Sequence, residues 1–211
     1  MADSAMGATT AGNLPCGPHF WTNRRGHKLY ARAWLPSHPA ATRGVFAWVH
    51  GYGGHIDRPH LTALANGLAA QGLAVISYDQ EGHGYSEGEH VYIERYESLV
   101  EDWLEFLATL LDSAHGYGGH IGGHVLGGSQ PGLVGLVPHG FDLSRVPLFV
   151  AGESMGGALA LHIAQRLSPP AAPHPSACRF RGVVLSAPLI HAILPPAPVV
   201  WFLKNTVTFS I

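Results

Sequence analysis

Residues 146–157 read VPLFVAGESMGG, and the reading of this stretch decides the fold. Its first six residues, 146–151, are apolar and uncharged, as expected for a strand covered on both faces. They run into Gly152-Glu153-Ser154-Met155-Gly156, a G-x-S-x-G followed by Gly157, and residues 158–167 continue with a helical composition. A strand before and a helix after are what give G-x-S-x-G its meaning as a nucleophile elbow. The turn is tight enough that Gly152 and Gly156 must let strand and helix backbones pass closely. Ser154 is thereby expected in a strained conformation with its hydroxyl at the strand end. The helix starts there, so its free N–H groups and positive dipole end favour a developing oxyanion.

Working outward, the alternating residues 27–35 (HKLYARAWL) predict an edge or hairpin strand. Residues 44–50 (GVFAWVH), 73–79 (LAVISYD) and 180–186 (FRGVVLS) predict buried strands. A helix is expected over 59–71, closed by Gly72, and a second over 94–111 with Leu99, Trp103, Phe106, Leu107 and Leu110 on one face. Strands separated by helices mean an α/β fold with a mostly parallel sheet, right-handed crossovers and helices on both faces. The stretch 113–145 breaks this rhythm with ten glycines and four histidines and no convincing period. It reads as a flexible, dispensable insertion with few apolar anchors. His120 and His124 have a spacing that suits a metal on a helix. The glycine pairs around them disfavour a helix, so a solvated loop is expected and no metal site.

Two further turns carry polar residues at strand ends. His50-Gly51-Tyr52-Gly53-Gly54-His55 follows the first buried strand, and its glycines leave backbone N–H groups exposed. Asp79-Gln80-Glu81-Gly82-His83-Gly84-Tyr85-Ser86-Glu87-Gly88 follows the second, and here Asp79 and the glycines are expected to shape a turn. Composition narrows the partners. With 211 residues, 12% of them charged, and a formal net charge of -2, neither a disordered polyelectrolyte nor a nucleic-acid footprint is present. Cys16 and Cys178 do not make a disulfide framework, and no basic region precedes an apolar core at the N-terminus, so a cytoplasmic setting is expected. Residues 183–203 hold no Asp, Glu, Lys or Arg, but Pro188, Pro195, Pro196 and Pro198 break any single spanning helix.

Together these motifs resemble the α/β-hydrolase superfamily, and within it the monoacylglycerol lipase and lysophospholipase group of serine aminopeptidase S33-type hydrolases. The residues that carry the resemblance are Asn23-Arg24-Arg25-Gly26, HGYGGH, D-x-x-G-H-G-x-S-x-G, GESMGG and Ser186-Ala187-Pro188. It implies a tail over 1–19, a hydrolase domain over 20–211 interrupted at 113–145, and an apolar cap or lid starting at 188–211. It further implies Ser154 as nucleophile, the backbone N–H groups of Tyr52 and Met155 as oxyanion hole, and Gly51, Gly152 and Gly156 as turn glycines. The implied chemistry is cleavage of a carboxylic ester, monoacylglycerol-like or of another small acyl substrate, through an acyl-serine, without metal or cofactor. Peripheral membrane contact through the cap is left open. So are an acyltransferase and a non-catalytic binding protein on the same fold.

The sequence also departs from the pattern. In this fold the acid and the base follow the serine in the order Ser, Asp or Glu, His. All 14 acidic residues lie at or before Glu153, and the later histidines, His162, His174 and His191, do not sit where the family places its base. The expectation is a C-terminally truncated chain whose last strands are missing and which is inactive by itself. His50, His55 and His83 are each better explained as parts of their turns than as replacement bases.

Overall fold

The structure is a computed structural model that describes residues 19–112, 119–121, 124–126, 133, 135–138, 140–168, 175–191 and 198. Along the chain run β1 (His19–Thr22), β2 (Lys28–Trp34), β3 (Gly44–Val49), α1 (Pro59–Ala70), β4 (Leu73–Tyr78) and α2 (Tyr96–Asp112). After these come β5 (Gly119–Ile121), β6 (His124–Leu126), β7 (Leu148–Glu153), α3 (Met155–Leu167) and β8 (Phe180–Ser186). Six strands form one sheet in the order β1-β2-β4-β3-β7-β8. β4, β3, β7 and β8 pair in parallel, while β2 joins β1 and β4 antiparallel, so the expected mostly parallel sheet carries a hairpin at one edge.

The alternation of side chains sorts each strand between two cores. In β3, Val45, Ala47 and Val49 face the core made with α2 and α3, while Phe46 and Trp48 face the core made with α1. β7 does the same, Leu148 and Val150 on one side and Phe149 and Ala151 on the other. In β8, Phe180, Val183 and Leu185 all pack on the α2/α3 side although Phe180 and Val183 are three apart. A register shift beside Leu148 and Phe149 makes that possible, because one extra residue returns the alternation to the same face.

Several boundaries move. β7 begins at Leu148, two residues after the expected start, because Pro147 has no N–H for the ladder and contributes only its carbonyl, to Val45 N–H at 2.7 Å. α3 begins at Met155, not 158: Gly156 and Gly157 are helical despite their low propensity because they sit buried against neighbouring backbone. α2 starts at Tyr96, two residues late, and of its expected face Leu110 is only half-buried.

The 113–145 stretch needs a larger correction. Leu133, Leu136 and Leu143 are buried in the main core, so its last third is anchored by apolar side chains that the glycine count concealed. Residues 119–121 and 124–126 pair as two antiparallel strands, with Ile121 opposite His124. His120 and His124 therefore lie on separate strands, not on a helix. Residues 113–118, 122–123, 127–132, 134 and 139 of this stretch, the 1–18 part of the expected tail, and the expected cap beyond His191 lie outside the described residues, Pro198 excepted.

Candidate active site

The parallel strands deliver their carboxyl ends to one edge of the sheet, where open α/β sheets place their ligands. β3 and β7 are direct neighbours, with Val49 opposite Gly152, so the His50–His55 turn and the elbow emerge side by side. A Cβ added to Gly51 would lie 3.2 Å from Ser154 Cβ. A Cβ on Gly156 would fall on the Val49 and His50 carbonyl oxygens, and one on Gly152 on the Gly156 carbonyl. The expected steric reason for both glycines is thus present: helix α3 crosses β3 and β7 with no room for a side chain.

Ser154 has φ 52° and ψ -122°, a combination that side chains disfavour. It is exposed, and its hydroxyl does not cap α3. Its backbone is bonded throughout. The Ser154 N–H donates to Ser186 O at 3.0 Å, and the Ser154 carbonyl accepts from Gly157, Ala158 and Leu189 N–H at 3.0, 3.3 and 2.8 Å. Among the described residues, neither the Tyr52 nor the Met155 N–H donates to a backbone carbonyl. Those are the two donors expected of an oxyanion hole. The Tyr52 side chain points elsewhere, its hydroxyl donating to Val91 O at 2.8 Å.

Of the three strand-end histidines, the turns bond both ring nitrogens of His50 and one of His83. His50 is fully buried; its Nδ1–H donates to Gly51 O at 2.8 Å and its Nε2 accepts Gln80 N–H at 2.9 Å. Burial pushes its pKa down to about 3, so it stays neutral and brackets the ends of β3 and β4. His83 donates from Nδ1 to Glu81 O at 2.9 Å and packs between the rings of His50 and Tyr52, at 5.4 and 5.8 Å. Burial lowers its pKa as well. His55 Nδ1 is buried without a partner among the described residues. None of the three is hydrogen-bonded to Ser154 Oγ. Of the later histidines, His162 lies on the surface of α3 against the Tyr96 ring at 5.4 Å, His191 is exposed, and His174 is outside the described residues.

Asp79 takes the structural role expected of it. It is fully buried, Oδ1 accepting Ile56 N–H at 2.6 Å and Oδ2 accepting Tyr85 N–H at 2.9 Å. Burial raises its pKa to about 6 against the pull of those two bonds. A Cβ on Gly84 would collide with this carboxylate. Ser86 closes the turn, donating to Asp79 O and accepting Tyr30 N–H at 2.9 Å.

One cluster escaped the sequence reading. Asn23 folds its own turn by accepting Arg25 and His27 N–H, and donates to Asp102 at 3.1 Å. Arg25 pairs with Asp102 at 2.7 Å and with Glu81, and Arg24 with Glu105 at 3.3 Å. Burial dominates at Asp102 and lifts its pKa to about 6 despite the guanidinium. The β1–β2 hairpin is thereby latched to α2 and to the turn after β4. The signal was the polar pair Asp102 and Glu105 on the apolar face of α2, which periodicity alone treats as noise.

Comparison with known proteins supports the fold. Residues 40–135 match the family model described as serine aminopeptidase, S33. That span contains the Tyr52 and Asp79 turns but not the elbow. Monoglyceride lipase of Mus musculus is 28% identical over 194 residues, covering 91% of this chain and 50% of the lipase. The Homo sapiens lipase is 29% identical over 175 residues, covering 83% and 44%. The chain therefore spans about half the length of the curated relatives it matches. A soluble variant of monoglyceride lipase from Saccharomyces cerevisiae, solved with a substrate analogue, superposes with a TM-score of 0.55 at 21% identity over 98% of this chain and 52% of that one. The α/β hydrolase GrgF from Penicillium superposes with a TM-score of 0.56 at 16% identity over 89% and 51%. Among the described residues no helix is long and apolar enough to cross a membrane. The chain has the α/β-hydrolase fold, matches the serine aminopeptidase S33 family over residues 40–135, and has monoglyceride lipases among its relatives.

Proposed function

We propose that this chain carries the nucleophile and the oxyanion hole of a serine ester hydrolase of the monoacylglycerol lipase type. The observation that carries the reading is Ser154: exposed, strained at φ 52°, and held at the head of α3, where the Tyr52 and Met155 N–H groups donate to no backbone carbonyl among the described residues. The Ser154 Oγ attacks the ester carbonyl, and charge gathers on the carbonyl oxygen between Tyr52 N–H and Met155 N–H. The tetrahedral intermediate expels the alcohol, and water then releases the acyl group from the serine. A monoacylglycerol-like substrate is supported by the monoglyceride lipases among the relatives.

The step left open is the proton. A serine needs a base to take it, and the base an acid to orient it. Residues 155–211 contain no Asp or Glu, and no described imidazole or carboxylate bonds Ser154 Oγ. Without its base a serine hydrolase loses roughly 10⁶-fold in turnover. The 211-residue chain by itself is therefore expected to turn over no ester faster than its S154A variant. A second reading is a non-catalytic binding protein on this fold, since no described side chain bonds Ser154 Oγ.

A fluorophosphonate probe separates the two. The protein expressed from its own gene should be labelled, and the S154A variant should not. Equal labelling of both would remove Ser154 as the nucleophile, and labelling of neither would favour the binding protein.

A further inference from the structure

The conformation of Ser154 is stabilised from outside the elbow. Two of the bonds to its carbonyl, from Gly157 and Ala158, belong to the first turn of α3 and accompany any helix start. The other two backbone bonds come from the end of β8: Ser186 O receives the Ser154 N–H, and Leu189 N–H reaches the Ser154 carbonyl. The Ser186 bond continues the ladder between β7 and β8, in which Glu153 lies opposite Ser186. The Leu189 bond does not. To bring its amide back over the elbow the chain must reverse within three residues, and it does so at Ala187, a non-glycine residue with φ 42°. Pro188 then seats on the start of α3, so close that a Cβ on Gly157 would lie 2.8 Å from Pro188 Cβ.

Side-chain burial does not explain this reversal, because Leu189 is 46% exposed and Ile190 73% exposed. What the segment delivers is a backbone donor at 2.8 Å from the carbonyl of a residue whose own φ and ψ are unfavourable.

We propose that residues 186–189 act as a positioning clamp on the nucleophile, with the Leu189 N–H and the reversal at Ala187 as its two parts. The proposal rests on Ser154 being the nucleophile. The clamp holds both the N–H and the carbonyl of Ser154, so the serine keeps the strained geometry that presents Oγ at the strand end. Released, Ser154 relaxes toward an ordinary φ, and a displacement of about 1 Å at a reacting atom costs on the order of 10² in rate.

The test uses L189P, which deletes the bonding N–H, with L189A, which keeps it, as its partner. Hydrogen exchange at the Ser154 amide is measured on both in the 211-residue chain, and kcat and KM on a nitrophenyl ester are added in whatever form of the protein turns that ester over. Expected for L189P is a kcat lower by about 10²-fold with KM unchanged, and faster exchange at Ser154. L189A should match wild type in all three. Wild-type kcat and exchange in L189P, or equal losses in both variants, would overturn the clamp. Should L189P not fold, A187G carries the test, since glycine accepts φ 42° but loosens the reversal. Lower kcat at constant KM with faster Ser154 exchange supports the clamp, and wild-type values overturn it. The S154A variant separates the two claims: turnover retained there sinks the nucleophile, and the clamp is then judged on exchange alone, which needs no turnover.

Discussion

Two turns leave neighbouring strands at the same edge of the sheet, the elbow after β7 and the Asp79 turn after β4, and they are built in opposite senses. Each depends on a glycine that tolerates no side chain, Gly156 beneath the Val49 and His50 carbonyls and Gly84 against the Asp79 carboxylate. Each also centres on one polar residue. Asp79 is fully buried and both its oxygens are spent on backbone amides, so the side chain serves the backbone. At Ser154 every backbone group is bonded while the hydroxyl stands exposed, so the backbone serves the side chain. A polar group whose bonding capacity is used up shapes the fold; one held free in a strained frame is available for chemistry.

Breaking the frame should have the largest effect on stability. Gly156→Ala puts a methyl group against two carbonyl oxygens that belong to the central strand β3 and cannot retreat. The expected cost is about 3 kcal/mol, the upper end of overpacking effects. Chemical denaturation measures it. A loss below about 1 kcal/mol would mean that α3 can slide away from β3, and that the crossing is looser than its geometry suggests.

The buried carboxylate should come next. In Asp79→Asn one of the two amides, Ile56 N–H or Tyr85 N–H, meets an NH₂ group where it had an acceptor. The cost of such an unsatisfied buried donor is about 1–3 kcal/mol. The pH dependence adds a second readout. The folded pKa of Asp79 is raised to about 6 from an ordinary 3.8, so the folded state binds its proton more tightly than the unfolded chain. That contribution is complete below the unfolded value and is lost as pH rises through about 6. Asn does not titrate, so the stability gap between wild type and variant should be wider at low pH and should narrow by pH 7. A gap that widens with pH would show that burial does not dominate at this carboxyl.

How much of this was legible depended on whether a single stretch of chain held the reason. The strand at Phe180–Ser186 has the bounds that composition gave it, because its β-branched run is local, but not the expected burial: as the edge strand it holds no fully buried residue. The elbow glycines were legible for the same reason: strand, serine and helix are contiguous. Arg179 was not. Its guanidinium is buried and donates to Leu111 O at 3.3 Å and Leu143 O at 3.1 Å, joining three segments far apart in sequence. The anchoring of Leu133, Leu136 and Leu143 was missed on similar grounds, since glycines dominate the local composition while the partners lie in α2 and the sheet. At the site, the Ser-Ala-Pro motif was visible, but its contact with the Ser154 carbonyl depends on a backbone reversal at Ala187 that no propensity predicts. The two halves of the site differ accordingly: the elbow is written in one motif, and what restrains it is distributed.

The smallest expected effect bears most directly on the comparison. If Ser154 is strained for the sake of its hydroxyl, removing the side chain altogether should return that strain as stability. At φ 52° and ψ -122° a Cβ is the source of the penalty, about 1–3 kcal/mol for such outliers. Ser154→Ala keeps the Cβ, and the hydroxyl it removes is exposed, so its stability should stay within about 0.5 kcal/mol of wild type. Ser154→Gly removes the Cβ and with it the penalty, at the cost of about 0.5–1 kcal/mol of extra freedom in the unfolded chain. The balance is a variant about 1 kcal/mol more stable than Ser154→Ala, both of them without turnover. Thermal unfolding of the pair decides it. Equal midpoints would mean that the elbow accommodates a Cβ at no cost, and the contrast with the Asp79 turn would then rest on burial alone.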